Sequence, residues 1–231
     1  MNLAAIPNRG PIPAHLDRAG TMVAPNLLVM LPGARDTAQD FVQRGFIQAV
    51  RAQAVACDVA ALDAHVDYYL EQTVVTRLHQ DIILPAQASG TRAIWLLGIS
   101  LGGLGCLRYA RAYPENIAGM ILLAPFLATR GLIAEVSASG GLAHWPAGDT
   151  STDSEREFLA WLQQQPLDQA PFDRIFLGYG EQDRFAPASL LLVQRLPPER
   201  CIAIAGAHDW PTWIQLWRTW LAKENFWHAA H

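Results

Sequence analysis

Ile94-Trp95-Leu96-Leu97-Gly98-Ile99-Ser100-Leu101-Gly102-Gly103-Leu104-Gly105 is the stretch that decides the fold. An uninterrupted apolar run ends on Gly-x-Ser-x-Gly, and a helix-like pattern carrying Tyr109 and Ala110 follows. Strand, sharp turn and helix in that order make a nucleophile elbow, which presents a serine at the top of a sheet. Ser100 is therefore a candidate nucleophile. The five-residue pattern alone also fits a serine that merely caps a helix, so the reading depends on partners elsewhere in the chain.

Outward from the elbow, short apolar runs alternate with helical patterns. Strands are expected at Leu27 to Leu31, Asp58 to Ala64, Ile94 to Ile99, Met120 to Ala124, Arg174 to Gly178 and Cys201 to Ile204. Their apolarity is continuous rather than alternating, as in a parallel sheet buried on both faces. Helices are expected from the Asp36-Thr37 cap to about Gln53, from Val74 to Gln87 with Pro85 bending or ending it, and from Leu101 to Tyr113. Further helices are expected at Glu157 to Gln164, Ala188 to Leu196 and Trp210 to Lys223. The last repeats Trp213, Leu216, Trp217, Trp220 and Leu221 at three- and four-residue spacings, a stripe that packs on the sheet. Residues 1–26, rich in Pro and Gly, read as a lead-in with no assignable hairpin. Residues 27–231 then form one domain, in which the looser stretch 126–172 is a short lid carrying Trp145.

In an open parallel sheet, sites form beyond the carboxyl ends of the strands. Two later strand ends carry the chemistry a serine needs: Gly178-Tyr179-Gly180-Glu181-Gln182-Asp183 and Ala205-Gly206-Ala207-His208-Asp209-Trp210. A serine hydroxyl is a poor nucleophile near neutral pH. It requires a base, and a neutral imidazole requires a carboxylate to fix its tautomer. Ser100, Asp183 and His208 supply these roles, with Asp209 a rival acid. An oxyanion site needs two backbone N–H groups. Leu101, next after the nucleophile, supplies one, and Ala34 in the Pro32-Gly33-Ala34-Arg35 loop supplies the other, with Gly33 as its competitor.

Through these motifs the chain resembles the α/β-hydrolase superfamily, and within it compact bacterial esterases similar to esterase D and enterochelin esterase. The order Ser, Asp, His is that of the superfamily, and order and spacing match from about Leu27 to Leu221. The resemblance implies an α/β-hydrolase fold: a mostly parallel sheet of about six strands with helices on both faces and a short lid. It departs from many relatives in having Pro32-Gly33 where they place His-Gly. The two antiparallel strands common at the start of the fold are not evident before Leu27, so a trimmed sheet is expected.

The resemblance implies a serine hydrolase acting on a small carboxylic ester, with thioester hydrolysis or acyl transfer as alternatives on the same triad. A non-catalytic binding protein on the same fold is the reading from another class. Neither cofactor nor metal is required by this chemistry. The 231 residues, 51% hydrophobic, suffice for one large core. A net charge of −4 with 16% charged residues gives no basic surface for nucleic acid. Cys57, Cys106 and Cys201 are dispersed in apolar segments and read as reduced core cysteines. No signal-peptide core or membrane span is visible, so a cytoplasmic location is expected, while the oligomeric state is undetermined. His65 with Asp63 and Asp67 reads as a loop histidine, and Arg35 as a surface ion-pairing residue.

Overall fold

The computed structural model describes residues 10–223. Among them, β1 (Ala14–Asp17), β2 (Asn26–Leu31), β3 (Cys57–Leu62), β4 (Ala93–Ile99), β5 (Gly119–Leu123), β6 (Ile175–Gly180) and β7 (Cys201–Ile204) form one sheet in the order β1-β3-β2-β4-β5-β6-β7. All neighbours run parallel except β1, which pairs antiparallel with β3, Ala14 lying opposite Leu62 and Asp17 opposite Val59. The sheet thus has seven strands where about six were expected. The extra strand, Ala-His-Leu-Asp, is mostly exposed and so carries no apolar signature. Polar contacts hold it instead: Arg51 Nε donates to Asp17 Oδ1 at 2.6 Å, and Asp58, buried beside it, accepts from the amides of Ala19 and Ala24.

The helices are α1 (Ala38–Gln43), α2 (Phe46–Arg51), α3 (Val66–Leu70), α4 (Val74–Arg77), α5 (Leu84–Ala88), α6 (Leu101–Ala112), α7 (Arg130–Ala138), α8 (Ser154–Gln164), α9 (Ala186–Val193) and α10 (Trp210–Leu221). Three expectations need correction. The helix expected over residues 36–53 is two, because Gly45 adopts the left-handed conformation, φ 84°, and turns the chain between α1 and α2. Pro85 does not end its helix: a π-helical turn at Leu78–Ile83 joins α4 to α5, and the proline, which lacks an N–H, sits in the first turn beyond it. Helix α8 begins at Ser154 rather than Glu157, because the Asp153 carboxylate accepts from the amides of Glu155 and Arg156.

Alternation along the central strand divides the interior in two. Ile94 and Leu96 of β4 join a core with Leu104 and Leu107 of α6, whereas Trp95, Leu97 and Ile99 face a second core with Phe41, Phe46 and the α10 tryptophans. Trp217 and Trp220 are fully buried and Trp213 nearly so; Trp217 Nε1 donates to Phe46 O at 3.1 Å. Removing such a ring from water contributes up to roughly 4–6 kcal/mol. The stripe read from three- and four-residue spacing is a sheet-packing face, as expected.

Candidate active site

Sheet order locates the site. The chain steps from β2 to β3 on one side and then to β4 on the other side of β2, so the connections leaving β2 and β4 diverge over their carboxyl ends. Such a switch point opens a crevice. Leu31 and Gly98 are the last pair in register there, which sets the Pro32-Gly33-Ala34 loop beside Ser100. A Cβ on Gly33 would stand 3.8 Å from that of Ser100.

Ser100 occupies φ 50°, ψ −113°, a conformation that costs a non-glycine residue about 1–3 kcal/mol. Three backbone bonds hold it: its amide donates to Leu123 O at 3.0 Å, and its carbonyl accepts from Gly103 N at 2.9 Å and Phe126 N at 2.8 Å. The turn closes only because its glycines lack side chains. A Cβ on Gly98 would lie 2.6 Å from Gly103 N, and one on Gly102 would lie 2.8 Å from Pro32 O and closer still to Leu31 O.

The structure brings Ser100, His208 and Asp183 into one hydrogen-bonded chain. Ser100 Oγ lies 3.0 Å from His208 Nε2, and His208 Nδ1 lies 2.6 Å from Asp183 Oδ2. A carboxylate can only accept, so Nδ1 carries the imidazole proton and Nε2 is left as the acceptor for the serine hydroxyl. The Asp183 carboxylate is almost wholly buried, and its other oxygen accepts from Phe185 N at 2.7 Å. The rings of Phe185 and Trp213 meet the imidazole edge-on, with centroids 4.8 and 5.0 Å away. Its plane is thereby fixed on two sides. Asp209 is committed elsewhere, capping α10 through Thr212 N at 3.0 Å and Thr212 Oγ1 at 2.7 Å.

Among the described residues, the amides of Ala34 and Leu101 make no turn or loop hydrogen bond. Leu101 directly follows the serine, and Ala34 follows Gly33, the loop residue that approaches it. Thr37 is the capping residue of α1. Asp36, read from the sequence only as part of that helix cap, lies half-buried just beyond this loop, and its Oδ1 accepts from Trp210 Nε1 at 3.2 Å. Burial pushes its carboxyl above the ordinary range, while the Trp210 hydrogen bond acts in the opposite direction. The bond laces the loop after β2 to the segment carrying His208.

A cavity of about 440 Å³ opens from Ser100 and His208, with Phe126, Ile133, Phe185 and Ala188 in its largely apolar wall. Arg130 and Arg184 stand in the same lining. Neither was singled out from the sequence, although Arg184 directly follows Asp183 and had that signal. The other sequence candidates lie apart. His65 is an exposed residue at the start of α3, stacked near Tyr68, and Asp63 accepts from Ala38 N to hold the start of α1. Arg35 is exposed and, among the described residues, makes no ion pair, against expectation. Cys57 and Cys106 are buried and Cys201 is half-buried, all as free thiols. Burial pushes the Cys57 thiol up to about 12. Among the described residues no helix is long and apolar enough to cross a membrane.

Segment 126–172 is built from α7 and α8 and packs over the α6 side of the sheet. Trp145 is buried rather than presented to the cavity, and its Nε1 donates to Glu135 Oε1 at 2.8 Å. Arg156 donates to the same carboxylate at 2.7 and 2.9 Å, with its guanidinium 5.2 Å above the Trp145 ring. The Arg156 hydrogen bond, then that of Trp145, holds the Glu135 carboxyl down at about 2 from an ordinary 4.5. A depressed folded-state value stabilises above the unfolded-state value, and that contribution fades as pH falls from about 4.5 toward 2. The difference in Tm between the native protein and Glu135→Gln is therefore expected to be constant above about pH 5 and to shrink steadily below 4.5. A difference independent of pH down to 3 would contradict the clasp.

The seven-stranded, mostly parallel sheet with helices on both faces has the α/β-hydrolase fold. A family model described as serine aminopeptidase, S33, matches residues 72–166, which include the elbow and stop short of Asp183 and His208. No curated protein matches the chain. Among solved structures, the chain is similar to S-formylglutathione hydrolase FrmB from Staphylococcus aureus, with a TM-score of 0.58 at 16% identity over 87% of this chain and 82% of that one. It is similar to Est1E from Butyrivibrio proteoclasticus, with a TM-score of 0.58 at 16% identity over 94% and 93%. It is also similar to a putative non-heme bromoperoxidase, BpoC, from Mycobacterium tuberculosis, with a TM-score of 0.57 at 14% identity over 95% and 96%. Names as different as these on one fold leave the chemistry to be argued from the site.

Proposed function

We propose that the chain is a serine hydrolase that cleaves a small carboxylic ester through an acyl-enzyme on Ser100. The observation that carries this reading is the Ser100–His208–Asp183 hydrogen-bonded chain at the mouth of an apolar cavity. Ser100 Oγ attacks the acyl carbonyl as its proton passes to His208 Nε2. Asp183 holds the imidazole in the accepting tautomer and stabilises the imidazolium that forms. The developing oxyanion takes hydrogen bonds from the amides of Ala34 and Leu101. His208 then gives its proton to the leaving alcohol oxygen, and the C–O bond breaks to leave the acyl group on Ser100. A water that loses a proton to the same nitrogen releases the acid and restores the serine.

A fluorophosphonate probe tests the reading. Stoichiometric labelling, mapped by mass spectrometry to the peptide containing Ser100 and absent from Ser100→Ala, is the expected result. A protein left unlabelled, or labelled equally in the variant, would overturn it.

A further inference from the structure

Arg130 and Arg184 both stand at the rim of the Ser100 cavity, and each guanidinium carbon lies 4.8 Å from the centroid of the same ring, Phe185. Phe185 in turn meets the His208 imidazole edge-on. The two arginines therefore share one aromatic platform beside the reacting serine, and among the described residues neither has a carboxylate partner. The carboxylates on the neighbouring elements are spent elsewhere. Glu135 binds Arg156 and Trp145, Glu155 accepts from Thr129 N at 2.9 Å, and Asp183 serves His208 and Phe185 N. Glu181, on the turn before Arg184, is exposed and makes no bond to either arginine.

Helix polarity makes the placement more demanding. Arg130 is the first residue of α7, and Arg184 lies two residues before α9, so both cations sit where helix N-termini already present positive potential. The first turn of α7 contains no acidic residue, and the carboxylate at that helix end, Glu155, is bound to the Thr129 amide and not to Arg130. In a chain of net charge −4, the mouth of this one cavity is locally positive. Like charges gathered against the helix dipoles are favoured when an anion is to be held between them, and a guanidinium offers a carboxylate paired donors.

We propose that the cavity selects amphiphilic esters: an apolar chain fills the wall formed by Phe126, Ile133 and Ala188, and an anionic group on that chain is bound at the rim by Arg130 and Arg184. The substrate class is thus an ester bearing a free carboxylate, as in a hemiester of a dicarboxylic acid. This rests on the reading of Ser100 as the nucleophile, and it extends that reading to the part of the substrate away from the reacting carbonyl. The anion enters on the acyl side or on the alcohol side, and the two sources are separated by experiment.

The test compares kcat/KM for matched pairs. One pair is the 4-nitrophenyl hemiester of adipic acid against 4-nitrophenyl valerate, with the charge on the acyl group. The other is the valerate ester of 4-hydroxybenzoate against that of its methyl ester, with the charge on the leaving group. In at least one pair the charged-to-neutral ratio is expected to fall about tenfold in Arg130→Gln/Arg184→Gln, and by a comparable factor in the native protein when salt is raised to about 0.5 M. Ratios that are the same in native and double variant, for both pairs, would overturn the proposal; the salt series reads the same effect without any substitution. If no ester is cleaved, the hydrolase reading has failed on its own. The rim is then judged by calorimetry with the adipate hemiester on Ser100→Ala, where tighter binding than to Ser100→Ala/Arg130→Gln/Arg184→Gln supports it and equal binding refutes it.

Discussion

Asp183→Asn is expected to lower the turnover of an activated ester by about 10⁴-fold with the fold intact. The size follows from two distances. Asp183 Oδ1 accepts from Phe185 N at 2.7 Å while Oδ2 faces His208 Nδ1 at 2.6 Å, so the carboxylate has one acceptor for each donor. An asparagine that keeps its carbonyl oxygen on the Phe185 amide must turn its NH₂ toward Nδ1. That nitrogen then has to accept, the imidazole proton moves to Nε2, and the serine hydroxyl loses its base. The packing is nearly unchanged, since the two side chains have the same shape. Far-UV circular dichroism and fluorophosphonate labelling, read beside the rate, separate a tautomer effect from misfolding. If Asp183→Asn kept more than a tenth of the native rate, the acid would have to come from elsewhere, and Asp209 is already engaged with Thr212.

Gly102→Ala is the substitution expected to damage stability most, by roughly 3 kcal/mol or more. In this size range that lowers Tm by about 10 °C. Alanine is ordinarily the better helix former by about 1 kcal/mol, and here that preference is overwhelmed. The added methyl would meet Leu31 and Pro32 through their backbone oxygens, and backbone cannot rotate away as a flexible side chain can. Separating α6 from the end of β2 would also displace the loop that carries Ala34. Gly131 gives the internal control: it is helical and exposed, with nothing within 4 Å of a new Cβ, so Gly131→Ala should be neutral or stabilising. Comparable Tm values for the two variants would contradict the close approach of elbow and loop.

Features with strong local causes were legible before the structure. The continuous apolar runs at Leu27, Ile94 and Met120 read as strands buried on both faces, and the glycines around Ser100 pointed to a tight strand-to-helix turn. Ser100, Asp183 and His208 could be nominated because each follows a strand, and the structure places them within hydrogen-bond reach. What sequence reasoning missed depended on contacts distant along the chain. Strand β1 is held by Arg51 and Asp58, which no inspection of Ala14 to Asp17 could reveal. Gly45 broke a helix whose apolar stripe continued through it, and the π-helical turn absorbed a proline that a regular helix would have rejected. The rim arginines escaped notice because their significance lies in sharing Phe185, a relation between residues 54 positions apart.

The sheet order has a consequence for how the protein is made. Ser100 emerges from the ribosome soon after β2, β3 and β4 and just ahead of α6, whose mutual contacts can form early, whereas Asp183 and His208 follow β6 and β7, which are synthesised later. Between the synthesis of α6 and that of β7 the elbow is complete but unaccompanied, and the Ser100 hydroxyl has no imidazole beside it. The hydrogen-bonded chain of Ser100, His208 and Asp183 closes only when β6 has docked against β5 and β7 against β6. As the nucleophile proposed here, Ser100 would therefore stay unactivated until those two strand pairings have formed.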